Sequence, residues 1–274
     1  MPVQTVAARI RGFIWLNAHP EGCAENVRAQ VAIARKGAPG KGIGHALVVG
    51  ASTGYGLSSL ASTVFGYGAD AVGVCLERPP QGDKTASAGW YNLAALRRLA
   101  QEAGRDVAIL NGDAYTDEIR AQTIALLKQR GAKIDSFVYS LASPKRTDPK
   151  TGVTHSSVLK PVGAPFSSRS IGLGNDQVQN VEIAPATDAD IEATRKVMGG
   201  EDWALWTRAL LEAGVLAPGC RTVAYSYIGP ELTYPIYRSG TIGKAKEHLE
   251  ETARALSADL SAIGGAAYVS VNKA

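Results

Sequence analysis

Cysteine is scarce in this chain of 274 residues, which has only Cys23, Cys75 and Cys220. The three are far apart and form no C-x-x-C pair, so we expect no structural zinc or other metal site and a reducing compartment. No apolar run approaches the ~18 residues that a membrane span needs. These absences predict a cytoplasmic protein without a metal and without a membrane partner.

The chain has no large excess of charge of one sign, because 29 basic and 25 acidic residues leave a net charge of only +4. No basic run is interleaved with aromatic residues, so nothing indicates a nucleic-acid partner. The G-x-S-x-G motif is missing, which argues against a hydrolase with a nucleophile elbow. A weak positive field would still favour an anionic, phosphate-bearing ligand.

Strands and helices alternate along the first half of the chain. Short apolar runs at 46–49, 71–76, 107–110 and 136–140 predict buried strands, and helical patterns separate them. This order predicts an α/β fold with a Rossmann-like, doubly wound and mostly parallel sheet. An N-terminal extension precedes it, and a long inserted loop region rich in proline and serine follows the fourth strand. With no clear linker, we expect one domain over residues 1–274.

The stretch VVGASTGYG predicts a phosphate-binding turn. Gly50, Gly54 and Gly56 follow a buried strand and open a helix, where glycine lets the backbone approach a pyrophosphate closely. Ser52, Thr53 and Tyr55 could add side-chain contacts. A tight packing corner is the alternative explanation of the glycines.

Residues after three further strands lie where such a fold binds its cofactor. Glu77 ends the second strand, where a carboxylate would bind the adenosine ribose hydroxyls and favour NAD(H), although Arg78 beside it leaves NADP(H) open. After the third strand, Asp113, with Ala114 next to it, could accept from the adenine amine. The residues that end the fourth strand could run along the cofactor; they are Ser140, Leu141 and Ala142.

The spacing between tyrosines and lysines limits the class of reductase that the sequence fits. None of the ten tyrosines has a lysine four residues later, the spacing of ordinary short-chain dehydrogenases, which counts against a plain alcohol dehydrogenase. Tyr237 alone has a lysine seven residues on, Lys244, and one nine residues on, Lys246. The sequence Arg238-Ser239-Gly240-Thr241 places a helix start between them, so helical geometry does not choose between the two lysines.

Several longer stretches resemble one family. Besides the glycine turn they include an acid-Arg-Pro after the second strand, GWYN at 89–92, YSLASPKRT at 139–147, MGGEDW at 198–203 and TYPIYRSGTIGKAKEHLE at 233–250. In this order they resemble the FabV-type enoyl-ACP reductases and trans-2-enoyl-CoA reductases of the short-chain dehydrogenase/reductase superfamily, over essentially the whole chain. Members of that family are longer, so this chain is expected to lack a C-terminal portion.

The resemblance implies NADH-dependent reduction of trans-2-enoyl thioesters in fatty acid biosynthesis. The family signature of tyrosine, eight residues and lysine falls on Tyr237, which would act on the enolate, and Lys246, which would orient the cofactor ribose. Lys244 is an additional lysine, and Tyr227 resembles a second active-site tyrosine that contacts substrate. The implied partners are an acyl-CoA or acyl-ACP thioester, with acyl carrier protein itself a candidate, and the protein is expected to be a monomer.

Two other functions fit the same sequence. A ketoacyl or alcohol reductase could use the same scaffold, and a dinucleotide-binding protein or inactive fragment would bind NADH without turnover. Comparing turnover of enoyl and ketoacyl thioesters separates the enoyl reductase from the ketoacyl reductase. NADH binding without NADH consumption would identify a binding protein or an inactive fragment.

Overall fold

A computed structural model describes residues 8–11, 14–37, 40, 42–82, 84–172, 174 and 176–272. The chain divides into two compact units, Met1–Ala114 and Tyr115–Ala274. A single domain over 1–274 stays a prediction. Part of the N-terminal extension, including its first seven residues, lies outside the described residues.

The first unit begins with a short hairpin and then alternates helices and strands. Its elements are β1 (Ile10–Arg11), β2 (Ile14–Trp15), α1 (Pro20–Lys36), β3 (His45–Val49), α2 (Gly54–Ala61), β4 (Asp70–Cys75), α3 (Ala88–Glu102) and β5 (Val107–Asn111). A π-helical turn, Ser62–Gly66, extends α2. The three predicted strands are all present.

The sheet of this unit is parallel, in the order β3–β4–β5. Residues 46–49 of β3 are fully buried, as expected of a strand covered on both faces. Helix α1 was not predicted from the sequence; it packs against α3 and buries Val27 and Val31. His19 caps α1, because its Nδ1 accepts from the backbone N–H of Gly22 at 3.0 Å.

The second unit holds four longer helices and seven strands in the part of the chain that the structure describes. They are α4 (Asp117–Gln129), β6 (Ile134–Tyr139), β7 (Lys145–Thr147), β8 (Thr154–Ser156), β9 (Phe166–Ile171), β10 (Val178–Ile183), α5 (Asp188–Met198), α6 (Glu201–Glu212), β11 (Leu216–Ser226), α7 (Thr241–Asp259) and β12 (Ala266–Val271). Short 3-10 turns lie at Glu231–Thr233 and Ser261–Ile263.

The sheet of the second unit is also parallel, in the order β6–β11–β12. The inserted loop region forms two antiparallel hairpins, β7–β8 and β9–β10. The run RTVAYSYIG predicts a strand over 221–229, but β11 begins at Leu216, five residues earlier, and its register shifts before Arg221. Pro218 and Gly219 in that interval concealed the start of the strand, because such residues usually mark loops.

Helix α6 is anchored by two tryptophans that have no exposed surface, Trp203 and Trp206. Trp203 Nε1 donates to Thr222 Oγ1 on β11 at 2.9 Å, so its one polar atom is satisfied. The three-residue spacing of the two tryptophans predicts this buried face of an amphipathic helix. No helix among the described residues is both long and apolar enough to cross a bilayer.

A buried carboxylate joins three elements of the second unit. Asp202 of α6 accepts from Arg120 Nη1 of α4 at 3.0 Å and from the Tyr139 hydroxyl of β6 at 2.9 Å. Burial raises the pKa of Asp202 to about 6, although the Arg120 guanidinium acts in the opposite direction. The carboxyl group therefore binds its proton more tightly in the folded chain than in the unfolded chain.

This network predicts a pH-dependent contribution to stability. Between the unfolded pKa of 3.8 and the folded pKa of about 6 the native state holds more protons, so the Asp202 contribution is fully present below this window and is lost as pH rises through it. The free energy of unfolding of the wild type, relative to that of Asp202→Asn, should fall by about 2 kcal/mol from pH 4 to pH 7. Urea unfolding across this range measures the difference.

Glu212→Gln, on the exposed side of the same helix, is the matched control and should keep a constant offset from wild type. If the difference in free energy of unfolding between wild type and Asp202→Asn also stays constant with pH, the Asp202 carboxyl does not titrate as stated.

Candidate active site

The glycine turn after β3 is built as predicted. Gly50 has a left-handed φ of 88°, which only glycine adopts without strain, and its N–H donates to the Val74 carbonyl at 2.9 Å. Thr53 is the N-cap of α2, but its side chain makes no capping hydrogen bond, whereas Thr116 and Thr187 do cap α4 and α5. The positive end of α2 is thus not closed by its own N-cap side chain.

The side chains of this turn differ in exposure. Ser52 is buried, and its carbonyl oxygen accepts from Asn92 Nδ2 of α3 at 3.0 Å. Tyr55 is 51% exposed, Thr53 and Gly54 are also exposed, and Gly56 is buried within α2. The turn therefore offers backbone and tyrosine surface, while Ser52 supports the turn from beneath.

Glu77 follows β4 and is held by the end of β5. Its backbone N–H donates to Asn111 Oδ1 at 2.7 Å, and Asn111 Nδ2 donates to the Glu77 carbonyl at 2.8 Å. The Glu77 carboxylate packs against Gly89 of α3, where an added methyl group would overlap it and lie 2.6 Å from Ser52 Cβ. Glu77 and the glycine turn thus approach the same glycine.

The remaining predicted cofactor positions follow the carboxyl ends of strands. Arg78 is exposed, and its backbone pairs with Ser87. Asp113 is exposed and Ala114 is buried, just after β5. In the second unit, Ser140 and Leu141 are half-buried and Ala142 is exposed after β6. Ligands of parallel α/β sheets bind beyond the carboxyl ends of the strands, and contact of these residues with a cofactor stays a prediction.

Tyr227 and Tyr237 are in contact. Tyr227 follows β11, and its ring meets that of Tyr237 edge-on, with centroids 5.3 Å apart and planes at 87°. Both rings are half-buried. Sequence reasoning proposed both tyrosines without predicting this contact, which needs the chain to turn back between them.

The turn that carries Tyr237 is closed against the start of α7. The Gly243 N–H donates to the Tyr237 carbonyl at 2.8 Å, and a methyl group at Gly243 would overlap the Arg238 carbonyl. Thr241 is fully buried and donates from Oγ1 to the Val158 carbonyl at 2.5 Å. The predicted helix start is confirmed at Thr241, so Tyr237 lies on a separate turn before the helix.

The two lysines of α7 have different surroundings. Lys244 is exposed and pairs with Glu247, with 2.8 Å between Nζ and Oε2. Lys246 is half-buried, and its Nζ donates to the Met198 carbonyl at 3.3 Å. Burial lowers the pKa of Lys246 to about 8. A desolvated ammonium is typical of a functional lysine, whereas a solvated i,i+3 ion pair is not.

Sequence reasoning missed several supporting residues. Asn111 and Asn92 fix Glu77 and the glycine turn, and Met198 accepts from Lys246. All three act through contacts between residues at least 34 positions apart, which no local pattern reveals. GWYN and MGGEDW contain Gly89, Asn92 and Met198, so the only signal was their place in stretches that resemble a family.

Two family models match the chain. The NAD(P)H binding domain of trans-2-enoyl-CoA reductase matches residues 5–82, and the trans-2-enoyl-CoA reductase catalytic region matches residues 84–274. The boundary between the two models lies between the glycine turn and α3.

The names of curated relatives include both acyl carriers, acyl carrier protein and coenzyme A. The enoyl-[acyl-carrier-protein] reductase [NADH] of Flavobacterium johnsoniae is 51% identical over 98% of this chain and 68% of that protein. The trans-2-enoyl-CoA reductase [NADH] of Clostridium perfringens is 48% identical over 98% of this chain and 69% of that protein. The chain thus spans slightly more than two thirds of each.

Solved structures agree with the fold and the family. Trans-2-enoyl-CoA reductase of Treponema denticola, in complex with NAD, aligns with a TM-score of 0.92 and 44% identity over 99% of this chain and 69% of that one. A short-chain dehydrogenase of Burkholderia cenocepacia, in complex with NADP, aligns over 82% of this chain and 72% of that one, with a TM-score of 0.51 and 17% identity, which speaks for the fold alone. The predicted Rossmann-like fold of the short-chain dehydrogenase/reductase type is confirmed, and the chain belongs to the trans-2-enoyl-CoA reductase family of NADH-dependent oxidoreductases.

Proposed function

We propose that this chain reduces the carbon–carbon double bond of trans-2-enoyl thioesters with NADH, and that Tyr237 and Lys246 carry the reaction. The observation that supports these roles most is the environment of the two residues. Tyr237 lies on a glycine-closed turn against Tyr227, and Lys246 is the desolvated lysine of the following helix. The family signature of tyrosine, eight residues and lysine falls on the same pair.

The residues present fit a dinucleotide. The turn at Gly50 leads into a helix whose N-cap side chain makes no capping bond, and no acidic residue lies in its first turn. Such a terminus suits a pyrophosphate. Glu77 would bind the adenosine ribose, and Asp113 the adenine amine. Ser140, Leu141 and Ala142 would run beside the cofactor. When bound, NADH supplies the hydride that reaches the β-carbon of the thioester.

Tyr237 would act on the thioester oxygen. Addition of hydride to the β-carbon leaves negative charge on that oxygen, and a hydroxyl donor aimed at it stabilises the charge as an oxyanion hole does. Lys246 would orient the nicotinamide ribose with its ammonium. Tyr227 packs edge-on against Tyr237, so it both limits the rotation of that ring and would line the substrate site.

The Lys244 alternative is disfavoured by its surroundings. Its ammonium is solvated and held by Glu247 on the outer side of the helix. We therefore assign the ribose contact to Lys246 and treat Lys244 as a surface residue. The carrier, coenzyme A or acyl carrier protein, belongs to the same proposal, because the relatives' names include both carriers. A monomeric state stays a prediction.

Replacement of the phenol tests the central role. Tyr237→Phe should lower kcat by about 10²–10³-fold, the usual loss for one oxyanion donor, while the NADH dissociation constant changes little. NADH oxidation with crotonyl-CoA and NADH fluorescence titration measure the two quantities. Acetoacetyl-CoA serves as the ketoacyl comparison. A variant that keeps near-normal turnover, or a wild type that prefers acetoacetyl-CoA, contradicts the assignment.

The two lysines can be compared directly. Lys246→Met should weaken NADH binding by about tenfold or more, since a charge-assisted hydrogen bond is worth roughly 1.5–3 kcal/mol. Lys244→Met removes only an exposed ion pair, so its effect should stay below about fivefold. Fluorescence titration of both variants gives the answer, and the reverse order of effects would assign the role to Lys244.

A methyl group at Gly89 tests the position of Glu77. Gly89→Ala should displace the Glu77 carboxylate from the ribose and weaken NADH binding about tenfold, since a hydrogen bond to a charged group is worth roughly 1.5 kcal/mol or more. Gly37→Ala is the matched control, because its nearest neighbour would be 3.9 Å away. Equal NADH affinity in the two variants would show that Glu77 does not contact the cofactor.

A further inference from the structure

The connection between α5 and α6 lies directly on α7. It runs from Met198, the last residue of α5, through Gly199 and Gly200, and two hydrogen bonds of opposite direction join it to α7. Lys246 Nζ donates to the Met198 carbonyl at 3.3 Å, and the Gly200 N–H donates to His248 Nδ1 at 3.2 Å. Two α7 side chains, two residues apart, therefore hold one short turn.

The approach of this turn to α7 leaves no room for side chains. A methyl group at Gly199 would lie 2.6 Å from His248 Nδ1, and one at Gly200 would overlap Thr252 Oγ1. Thr252 Oγ1 itself donates to the His248 carbonyl at 2.7 Å. The position of the Met198 carbonyl is thus fixed by contacts with the helix that also carries Lys246.

The hydrogen bond defines the state of the His248 ring. Because Nδ1 accepts from a backbone N–H, the proton of the neutral ring is on Nε2. Burial lowers the pKa of His248, as does the nearby Arg195, while Glu251, Glu201 and Glu192 act in the opposite direction. The neutral, accepting form is therefore the one present at neutral pH.

An ammonium group has three donors. Among the described residues, Lys246 uses one of its donors in a hydrogen bond to the Met198 carbonyl. A lysine side chain carries about 2 kcal/mol of rotamer entropy, so an anchor that orients the ammonium before the ligand arrives lowers the cost of binding. The remaining donors are then directed by the anchor.

We propose that His248 is a positioning residue for Lys246: by accepting from the Gly200 N–H it fixes the turn whose Met198 carbonyl orients the Lys246 ammonium toward the cofactor ribose. This inference rests on the function proposed above. His248 does not touch cofactor or substrate in this account, and its effect passes entirely through Lys246.

Asparagine and glutamine at position 248 separate positioning from structural support. The Asn side-chain oxygen lies near the position of Nδ1 and can accept from Gly200, whereas the Gln oxygen lies near the position of Nε2. Gln is the better helix former, so a purely structural role predicts that His248→Gln is the less harmful change. Positioning predicts the opposite order.

The experiment measures NADH affinity by fluorescence, thermal unfolding, and crotonyl-CoA turnover for His248→Asn, His248→Gln and the exposed control Glu250→Gln. We expect His248→Gln to weaken NADH binding about tenfold, equivalent to one hydrogen bond of roughly 1.4 kcal/mol. His248→Asn and the control should stay within about threefold of wild type, a difference of roughly 0.7 kcal/mol. In a Lys246→Met background, His248→Gln should add no further loss of NADH affinity.

Equal affinities for His248→Gln and wild type, a weaker His248→Asn than His248→Gln, or independent effects in the double variant would each overturn the inference. Its failure is distinguishable from failure of the proposed function. A wild type that binds NADH but reduces no enoyl thioester refutes the function, while the order of NADH affinities still decides the role of His248. A wild type that does not bind NADH overturns both.

Discussion

The close approach of the Tyr237 turn to the first turn of α7 is the constraint on which the proposed site depends. Gly243 donates to the Tyr237 carbonyl at a point where no side chain fits, and Thr241 is bound to the backbone at Val158 and Lys160. On an unbroken helix a tyrosine and a lysine nine residues apart would face opposite sides. Because Tyr237 lies before the helix, on a turn folded over its start, this geometry does not apply.

Helix α7 then organises the rest of the second-unit site. It carries Lys246 at the start of its second turn and His248 soon after, and its surface receives the glycine connection between α5 and α6. The same glycine connection leads into α6, whose Asp202 and tryptophans are buried against β6, β11 and α4. Support for one lysine is therefore continuous with the hydrophobic core, and the Met198 carbonyl that accepts from the Lys246 ammonium offsets part of the cost of its desolvation.

Much of this architecture is local and could be predicted from the sequence. The apolar runs of β3, β4 and β5, the Thr187–Asp190 capping box and the start of α7 follow from patterns of a few residues. The larger boundary errors were at β11, because of Pro218 and Gly219, and at the last helix. The sequence pattern predicts that this helix continues to about Ile263, whereas α7 ends at Asp259 before a 3-10 turn.

The site needed more than local patterns. The choice between Lys244 and Lys246 depends on burial and on a carbonyl 48 residues away, and the support of Glu77 depends on Asn111 and Gly89. Such contacts arise only when the chain is folded, so helical spacing could name both lysines but not rank them, and only the resemblance to a family favoured Lys246.

The most direct measurement is a crystal structure of this chain with NADH and butyryl-CoA, the saturated product of the proposed reaction. With the proposed roles of the two residues, we expect the Tyr237 hydroxyl within about 3 Å of the thioester oxygen and the Lys246 ammonium in contact with the nicotinamide ribose. A phenol turned away from that oxygen, or a ribose bound by Lys244 instead, would contradict these roles.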